Sequence, residues 1–392
     1  MDSVLPGIRA IEKEMIDFRH DLHAHPELAY EEHRTSELVA TLLRDWGYEV
    51  HVGLGGTGIV ASMKVGNGTK TIALRAEMDA LPIQEKTGLG YASVFGGKMH
   101  ACGHDGHTAI LTAAAKHLAS TRSFSGTLRL VFQPAEEGLG GGRRMIEEGL
   151  FSLFPCDCIF ALHNLPGYPT GKFGFLPGPF MASSDSVILQ IQGNGGHASA
   201  PHLSIDPVVC AAQLILALQV IVSRNVDPRS MAVISVGAIN GGKAANVIPE
   251  SVEMKLSVRA GTPETREILR KRITETVHAH SMSSGASIEI DYQWRYPSLI
   301  NHEKETAFAA QVARDWLGEA GLIQNMRPLT PAEDFSFMLE KCPGCYFIVG
   351  NGEDSESPQG GCMVHNPMYD FNDAVLPLAA TYWVKLVERY LC

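Results

Sequence analysis

The chain of 392 residues has no run of basic residues. Its 32 Lys and Arg are outnumbered by 43 Asp and Glu, which gives a formal net charge of −11. Binding to a phosphate backbone depends on clustered Lys and Arg. The sequence therefore predicts that nucleic acid is not a partner.

The chain also lacks a long uninterrupted apolar segment and a basic, apolar leader. Its most apolar stretch, residues 208–222, includes two Gln and is shorter than the roughly 20 residues that span a bilayer. The first fifteen residues carry acidic side chains where a signal peptide has a basic flank. We therefore predict a cytoplasmic protein with no membrane partner.

Cysteine is scarce, with 8 residues in the chain. This is far below the density of a secreted disulfide scaffold. Cys342-Pro-Gly-Cys345 has the spacing of a redox pair, but it follows a predicted helix and precedes a predicted strand, the reverse of a thioredoxin-like motif. Together with Cys156 and Cys158 it could form a structural zinc site, although nothing requires one. We interpret both pairs as small apolar residues.

What the chain does contain is an alternation of helical and strand-like patterns. Such alternation predicts an α/β fold with a mostly parallel sheet covered by helices. Strands at 58–65 and 70–78 are joined by a turn signal at 66–68. The other expected elements of the first part are helices at 8–24, 31–46, 106–120 and 142–149, and strands at 127–132 and 158–162.

Residues 183–293 have a compact pattern of their own, with four strands and two long helices. About 110 residues of this kind suit a small α+β domain. We therefore predict a catalytic domain made of residues 1–182 and 294–392, interrupted by an inserted α+β domain at 183–293. The expected elements of the insert are strands at 186–193, 231–239, 251–259 and 286–292, and helices at 206–223 and 263–282.

The densest group of reactive side chains is MHACGHDGH at 99–107. Cys102 and His104 are two residues apart, so in an extended segment they would project to the same side and could share a metal ion. Thiolate and imidazole suit borderline ions such as Zn²⁺, Mn²⁺, Co²⁺ or Ni²⁺. The alternative is a polar loop that caps the following helix, with Asp105 near its N-terminus.

A second group is FQPAEEG at 132–138, directly after an apolar strand. Loops at the carboxyl ends of parallel strands are the usual location of sites in α/β sheets. Adjacent carboxylates in a non-helical segment tend to point apart, so Glu137 and Glu136 could divide the roles of metal ligand and general base. The alternative is a solvated acidic pair at the start of a helix.

Two single histidines complete the set of candidate ligands. His163 follows the strand-like residues 159–162, and His365 lies in a loop with Pro367. Cys102, His104, Glu137, His163 and His365 then supply five ligands, with Glu136 left over. Five ligands suit two ions, roughly 3.5–4 Å apart, bridged by a thiolate or a water. We interpret His20, His23 and His25, on or after the first helix, as structural.

These segments resemble the M20 family of metallopeptidases, in particular its branch of N-acyl-amino-acid amidohydrolases, which includes hippurate hydrolases and auxin-conjugate hydrolases. The resemblance covers essentially the whole chain and consists of motifs in a fixed order. They are RHDLHAHPEL at 19–28, LRAEMDALP at 74–82, MHACGHDGH at 99–107, FQPAEEG at 132–138, GGHASAPH at 195–202, NVIP at 246–249 and EDF at 333–335.

The resemblance implies a role for each matching residue. It implies that Cys102, His104, Glu137, His163 and His365 bind two divalent ions and that Glu136 is the general base. Asp79 would orient a metal ligand, as carboxylates around metal sites do. His197 and Asn246 would contact the substrate, and Arg259 is a further candidate for the substrate carboxylate. If His197 lies near the site it could also stabilise the oxyanion; the alternative is a turn histidine in a Gly-rich loop. The insert would serve as a lid and a homodimer interface.

The predicted activity is metal-dependent hydrolysis of the amide bond in a small N-acyl amino acid, of the EC 3.5.1 type. A metal-activated water would attack the carbonyl while Glu136 accepts its proton. Two alternatives keep the fold and the metals but change the substrate, to a dipeptide or to an N-acetylated biosynthetic intermediate. A third is a non-catalytic binding or redox protein, against which an intact Glu136 counts.

Overall fold

The computed structural model describes residues 3–353 and 362–392. It divides the chain into two compact units. The first consists of Met1–Gly178, Asn301–Arg327 and Phe337–Cys392, and the second of Pro179–Ile300 and Pro328–Ser336. The helices are α1 (Pro6–Ala24), α2 (His33–Asp45), α3 (His104–Thr121), α4 (Gly141–Glu147), α5 (Leu150–Leu153), α6 (Pro207–Asn225), α7 (Pro263–Ser284), α8 (Glu303–Leu317), α9 (Phe335–Leu339) and α10 (Val375–Tyr390).

The strands follow the same chain order. They are β1 (Glu49–Leu54), β2 (Gly58–Val65), β3 (Thr71–Glu77), β4 (Gly126–Gln133), β5 (Cys158–Pro166), β6 (Phe173–Gly174), β7 (Gly178–Met181), β8 (Ser184–Gln192), β9 (Gly196–His197), β10 (Ala232–Gly241), β11 (Val247–Ile248), β12 (Ser251–Ala260), β13 (Ser287–Tyr296), β14 (Leu299–Asn301) and β15 (Gly344–Gly352).

The first unit is built on a seven-stranded sheet in the order β1-β2-β4-β3-β5-β15-β6. Strand β4 pairs in parallel with β3, β3 with β5, and β5 with β15, whereas β2 and β6 run against their neighbours. Because β1 is antiparallel to β2, it runs in the same direction as β3, β4, β5 and β15. Five of the seven strands therefore share one direction. The predicted α/β fold with a mostly parallel sheet is confirmed.

Helix α3 is central to this unit and begins within the motif of residues 99–107. It packs against α1, α10 and β3. Ala109, Ala113, Ala114 and Ala115 are fully buried on it, and their small side chains let neighbouring backbones approach closely. The α3 N-terminus is thereby held firmly against the sheet.

The second unit has an antiparallel sheet in the order β10-β12-β8-β13, against which α6 and α7 pack. Local sequence explains where both helices begin. Asp206 accepts hydrogen bonds from Val208 N and Val209 N, and Thr262 accepts one from Thr265 N. In each case a proline follows the capping residue, as is common at the first helical position. The predicted α+β character of the insert is confirmed.

Helix α6 has the length and apolar composition of a helix that could cross a membrane. Its Cys210, Ala211, Leu214 and Leu218 are nevertheless buried in the core of the second unit. A core helix of a globular domain has the same composition. The helix therefore provides little support for a membrane span.

One sequence-based expectation about the first unit differs from the structure. Strands β2 and β3 follow one another as predicted but are not neighbours in the sheet, because β4 lies between them. The strand predicted to end at residue 162 continues to Pro166, so His163 lies within β5. The backbone of β15 continues its parallel pairing along β5, with Ile348 opposite His163, and this pairing keeps the strand extended.

Candidate metal centre

The carboxyl ends of three adjacent parallel strands carry acidic and imidazole side chains. Strand β3 ends two residues before Asp79, β4 ends three residues before Glu136, and His163 lies in the second half of β5. Parallel strands present their carboxyl ends at the same edge of a sheet. The topology of the first unit therefore brings these side chains to one edge.

Cys102, His104 and His163 form the first cluster. One ligand atom from each lies within 4.8 Å of the others, and Cys102 Sγ is 3.3 Å from His163 Nε2. The sequence suggested an extended segment here, but the structure shows a turn. Gly103 adopts a left-handed conformation with φ of 95°, and His104 is the first residue of α3. The turn at Gly103, rather than strand geometry, brings Cys102 and His104 together.

Cys102, Glu137 and His365 form the second cluster, with the same 4.8 Å separation limit between ligand atoms. His365 Nε2 is 3.2 Å from Glu137 Oε1. The His365 amide donates to Ala101 O at 2.6 Å, and His365 has a φ of 66°. Such conformations are costly outside glycine and concentrate at functional sites. Cys102 thus belongs to both clusters.

Glu136 lies beside these ligands. It is buried, and one carboxylate oxygen each of Glu136 and Glu137 lies within 4.8 Å of a ring nitrogen of His104. The two carboxylates therefore converge on His104 rather than pointing apart. The preceding residue, Ala135, has a φ of 52° and donates its amide to Glu32 Oε1 at 2.9 Å. This hydrogen-bonded turn fixes the backbone position from which the Glu136 side chain extends.

Asp79 connects the two strand ends through hydrogen bonds. His104 Nδ1 is 2.9 Å from Asp79 O and 3.2 Å from Asp79 Oδ1. The Glu137 amide donates to Asp79 Oδ2 at 2.9 Å. A carboxylate that accepts from a ligand imidazole sets its tautomer and orientation. The contacts of Asp79 are those of an orienting residue.

The donor set fits divalent cations. His104 Nε2 is buried and has no hydrogen-bond partner in the described part of the chain, although Nδ1 is engaged by Asp79. A buried nitrogen without a partner is costly unless something else binds it. One thiol, three imidazoles and a carboxylate, on Cys102, His104, His163, His365 and Glu137, are ligands typical of Zn²⁺, Mn²⁺, Co²⁺ and Ni²⁺.

The electrostatics of the first cluster matter for metal binding. Burial, with the charges of Glu137 and Glu136, raises the pKa of the Cys102 thiol well above its usual value. Burial opposes a charged His104, but the hydrogen bond and charge of Asp79 prevail and raise its pKa to about 10. Burial and the neighbouring His107 lower the pKa of His163 well below its usual value. A cation must therefore displace protons from Cys102 and His104.

Metal affinity is consequently expected to rise with pH. At pH values below the raised pKa values, each displaced proton lowers the apparent association constant for the metal about tenfold for every unit by which the pH falls. Two displaced protons therefore predict a loss of affinity of up to about a hundredfold per pH unit. Competition with a chelator at several pH values between about 6 and 8, corrected for the chelator's own protonation, measures the slope. An affinity that does not change over this range would contradict the assignment of protonated ligands.

Sequence reasoning missed a buried network behind the clusters. His107 Nδ1 is 2.9 Å from Glu77 Oε2, and His107 Nε2 is 2.8 Å from Asn164 Oδ1. Asn164 also donates to Tyr369 Oη at 2.6 Å. A signal was present, because His107 lies about one turn after His104 in a helix and Glu77 lies on the same side of an extended strand as Asp79. Glu77, His104 and His107 also lie close enough together to hold a cation.

Gly103 occupies a position that no larger residue fits. A Cβ atom there would lie 2.2 Å from Asn164 Oδ1 and 2.7 Å from Tyr369 Oη. Gly103→Ala is expected to weaken metal binding and to cost about 2–5 kcal/mol, from left-handed strain together with overpacking. Denaturant unfolding without metal and a metal titration measure the two effects.

Gly97→Ala is the matched control, because Gly97 has a φ of 77° and nothing within 4 Å of an added Cβ. It should cost only the strain, about 1–2 kcal/mol. Equal losses in the two variants would show that crowding at Gly103 is unimportant.

The substrate-binding candidates belong to the second unit. Strand β9 pairs with β11, with His197 opposite Val247, and the Ala198 amide donates to Asn246 O at 3.1 Å. His197 and Asn246 are thus neighbours, and both are exposed. Arg259 is half-buried near the end of β12, where burial lowers its pKa. The roles of all three residues stay predictions.

The histidines of the first helix have protein partners. His23 is buried, and its Nδ1 is 2.8 Å from Asp105 Oδ2. His20 Nε2 is 2.8 Å from Asp373 Oδ2, and His25 Nδ1 is 2.8 Å from the main-chain oxygen of Asp21. These contacts are of the kind expected for structural histidines.

Comparison with known proteins agrees with this geometry. A sequence model of Peptidase family M20/M25/M40 matches residues 73–389. A hippurate hydrolase of Campylobacter jejuni is 44% identical over 389 residues, which are 99% of this chain and 100% of that protein. An N-acetyl-L-cysteine deacetylase of Bacillus subtilis is 38% identical, covering 98% and 90%. The crystal structure of a dinuclear metal-binding M20 peptidase of Bacillus subtilis aligns with a TM-score of 0.84 at 31% identity, covering 98% and 99%.

Proposed function

The chain belongs to peptidase family M20/M25/M40, and on this premise we propose that it hydrolyses the amide bond of small N-acyl amino acids. The observation that carries the proposal is a pair of ligand clusters that share Cys102, with the buried carboxylate of Glu136 beside them. Two adjacent cation positions and one spare acid suit metal-assisted amide hydrolysis. A binding protein has no need of the spare acid.

We assign the five ligands to two divalent ions. Cys102, His104 and His163 would hold one ion, and Cys102, Glu137 and His365 the other. When bound, the ions polarise the amide carbonyl and lower the pKa of the attacking water. Mn²⁺ and Zn²⁺ are the leading candidates for the bound metal. Which of them occupies the site in the cell depends on metal supply as well as on these ligands.

Glu136 is proposed to accept the proton of the attacking water and to pass it to the leaving nitrogen. Its neighbour Glu137 contacts His365 through Oε1 and belongs to the second ligand cluster, which does not contain Glu136. Asp79 keeps His104 in one tautomer by accepting from Nδ1. From the second unit, His197 is proposed to stabilise the oxyanion, Asn246 to bind the substrate amide and Arg259 to bind its carboxylate.

The similar proteins support two classes of acyl group in the substrate, aromatic acyl groups and acetyl. Hippurate is an aromatic acyl conjugate of glycine, and the 44% identity to a hippurate hydrolase supports aromatic acyl groups. The 38% identity to an N-acetyl-L-cysteine deacetylase supports the alternative of a small acetyl group. Rates on N-benzoyl and N-acetyl derivatives of the same amino acids distinguish the two.

The test pairs metal content with hydrolysis of a panel of N-acyl amino acids and dipeptides. Activity should disappear after chelation and return with Mn²⁺, Zn²⁺ or Co²⁺. A metal-loaded enzyme that cleaves only dipeptides would replace the proposed substrate class. A protein that binds no metal would overturn the proposal.

We also propose a cytoplasmic homodimer that associates through the second unit. Val209, Leu216 and Val220 are exposed on α6, at spacings that place them on one helical face. Exposed apolar surface of this kind is typical of an interaction site. Light scattering after size-exclusion chromatography measures the mass, and a monomer at micromolar concentration would contradict the dimer.

A further inference from the structure

Two cysteines far apart in sequence meet in the first unit, away from the proposed ligands. Cys156 Sγ and Cys342 Sγ are 3.5 Å apart, although 186 residues separate them. Cys156 precedes β5 and Cys342 precedes β15. The contact lies between the two cysteine pairs that the sequence led us to interpret as small apolar residues, rather than within the Cys342–Cys345 motif.

The backbones that follow the two cysteines are already at strand spacing. Ile159 N donates to Pro343 O at 2.9 Å, and Gly344 lies opposite Ile159 in the parallel ladder of β5 and β15. Neighbouring strands lie roughly 4.8 Å apart, which is within the range of Cα separations that disulfides span. Side-chain rotation can supply the remaining approach of the two sulfur atoms, with little movement of the backbone.

The two thiols also differ in their access to solvent. Cys156 is partly exposed, whereas Cys342 is buried. Arg129 Nε donates to Pro155 O at 2.9 Å, so a cation lies next to Cys156. Partial exposure beside a positive charge is typical of reactive thiols. The nearby Cys158 and Cys345 are buried, and burial raises the pKa of each to about 12. The hydrogen bond with Cys156, together with burial, also raises the pKa of Cys342, so Cys156 is the more accessible nucleophile of the pair.

We propose that Cys156 and Cys342 are a reversible modification site, at which a peroxide converts the two thiols into a disulfide. The site is independent of the amidohydrolase activity proposed above. Cys158, at the start of β5, is five residues from His163, roughly 16 Å along an extended strand. The disulfide would connect the beginnings of two paired strands and act on stability rather than on the ligands.

The reaction balances with one hydrogen peroxide for each pair. The Cys156 sulfur attacks a peroxide oxygen, the O–O bond breaks, and the departing hydroxide takes a proton to form water. The resulting sulfenic acid is attacked by the Cys342 sulfur. The S–O bond then breaks, the Cys342 proton leaves with the second water, and the S–S bond forms. The sulfurs lose two electrons, which reduce the peroxide.

The experiment treats the metal-loaded, full-length enzyme with hydrogen peroxide, alkylates the remaining thiols and maps the crosslinks by mass spectrometry. Cleavage on the N-terminal side of Asp157 separates Cys156 from Cys158. The expected product is one Cys156–Cys342 crosslink that dithiothreitol removes. The melting temperature should rise by about 2–5 °C, because a long loop is closed.

Serine variants provide matched controls. Cys156→Ser and Cys342→Ser should abolish both the crosslink and the rise in melting temperature, whereas Cys158→Ser and Cys345→Ser should keep both. Irreversible oxidation of Cys156 without a crosslink, or a crosslink of Cys342 to Cys345, would overturn the proposal. A Cys156–Cys342 crosslink that leaves the melting temperature unchanged would overturn its stabilising role.

Discussion

Replacing Glu136 by glutamine is expected to leave metal binding intact and to lower kcat by about a thousandfold, the middle of the range for general acid–base catalysis. Glutamine keeps the size and polarity of the side chain but cannot accept a proton from water. Glu136 is buried beside His104 and Glu137, so a large change of shape would disturb the ligands. Metal content and steady-state rates on the same preparation measure the effect.

The matched control is Glu137→Gln, on the adjacent residue. Glu137 Oε1 contacts His365, and its amide donates to Asp79, so this variant should lose metal as well as activity. If Glu136→Gln also loses metal, Glu136 is a ligand and the assignment of the base is wrong. If Glu136→Gln retains normal turnover, the residue takes no part in proton transfer.

Replacing Cys102 by serine is expected to have the largest effect on metal content. Cys102 is the one residue that both proposed ligand sets contain. A serine hydroxyl is a much poorer ligand than a thiolate for borderline ions. We therefore expect the loss of both ions and of essentially all activity. Elemental analysis after dialysis measures the stoichiometry.

Two single-cluster variants serve as the comparison. His163→Ala affects the cluster with His104, and His365→Ala affects the cluster with Glu137. Each should weaken the binding of one ion more than that of the other, so stoichiometry falls in steps in a metal titration. Loss of the same single ion in Cys102→Ser and His163→Ala would show that Cys102 does not bridge.

The residue types of the site could be predicted from the sequence, whereas their geometry could not. A cysteine and a histidine flanking a glycine are visible as candidate ligands. The left-handed turn at Gly103 depends on tertiary packing, since a Cβ atom there would collide with Asn164 and Tyr369, residues from distant parts of the chain. The convergence of Glu136 and Glu137 depends likewise on Ala135, whose positive φ is anchored by Glu32.

In the fold, too, features that depend on neighbouring residues could be predicted, whereas features that depend on residues distant in sequence could not. Most helices and strands were predicted within a few residues, because apolar periodicity reports the buried face of each element. The order of strands in the sheet is different. The turn at 66–68 indicates where the chain reverses, but it carries no information about β4, which starts at Gly126 and lies between β2 and β3. Pairings across long loops have no local signal.

The discontinuous first unit also constrains how the protein is synthesised. Strand β15 lies between β5 and β6 in the sheet, but it begins at Gly344. Translation proceeds from the N-terminus, so all of the second unit leaves the ribosome before β15 does. Until then, the edge of β5 that will pair with β15 lacks its partner, and unpaired strand edges recruit other chains. Nascent chains stalled before Gly344 should therefore depend on chaperones that protect β-sheet edges.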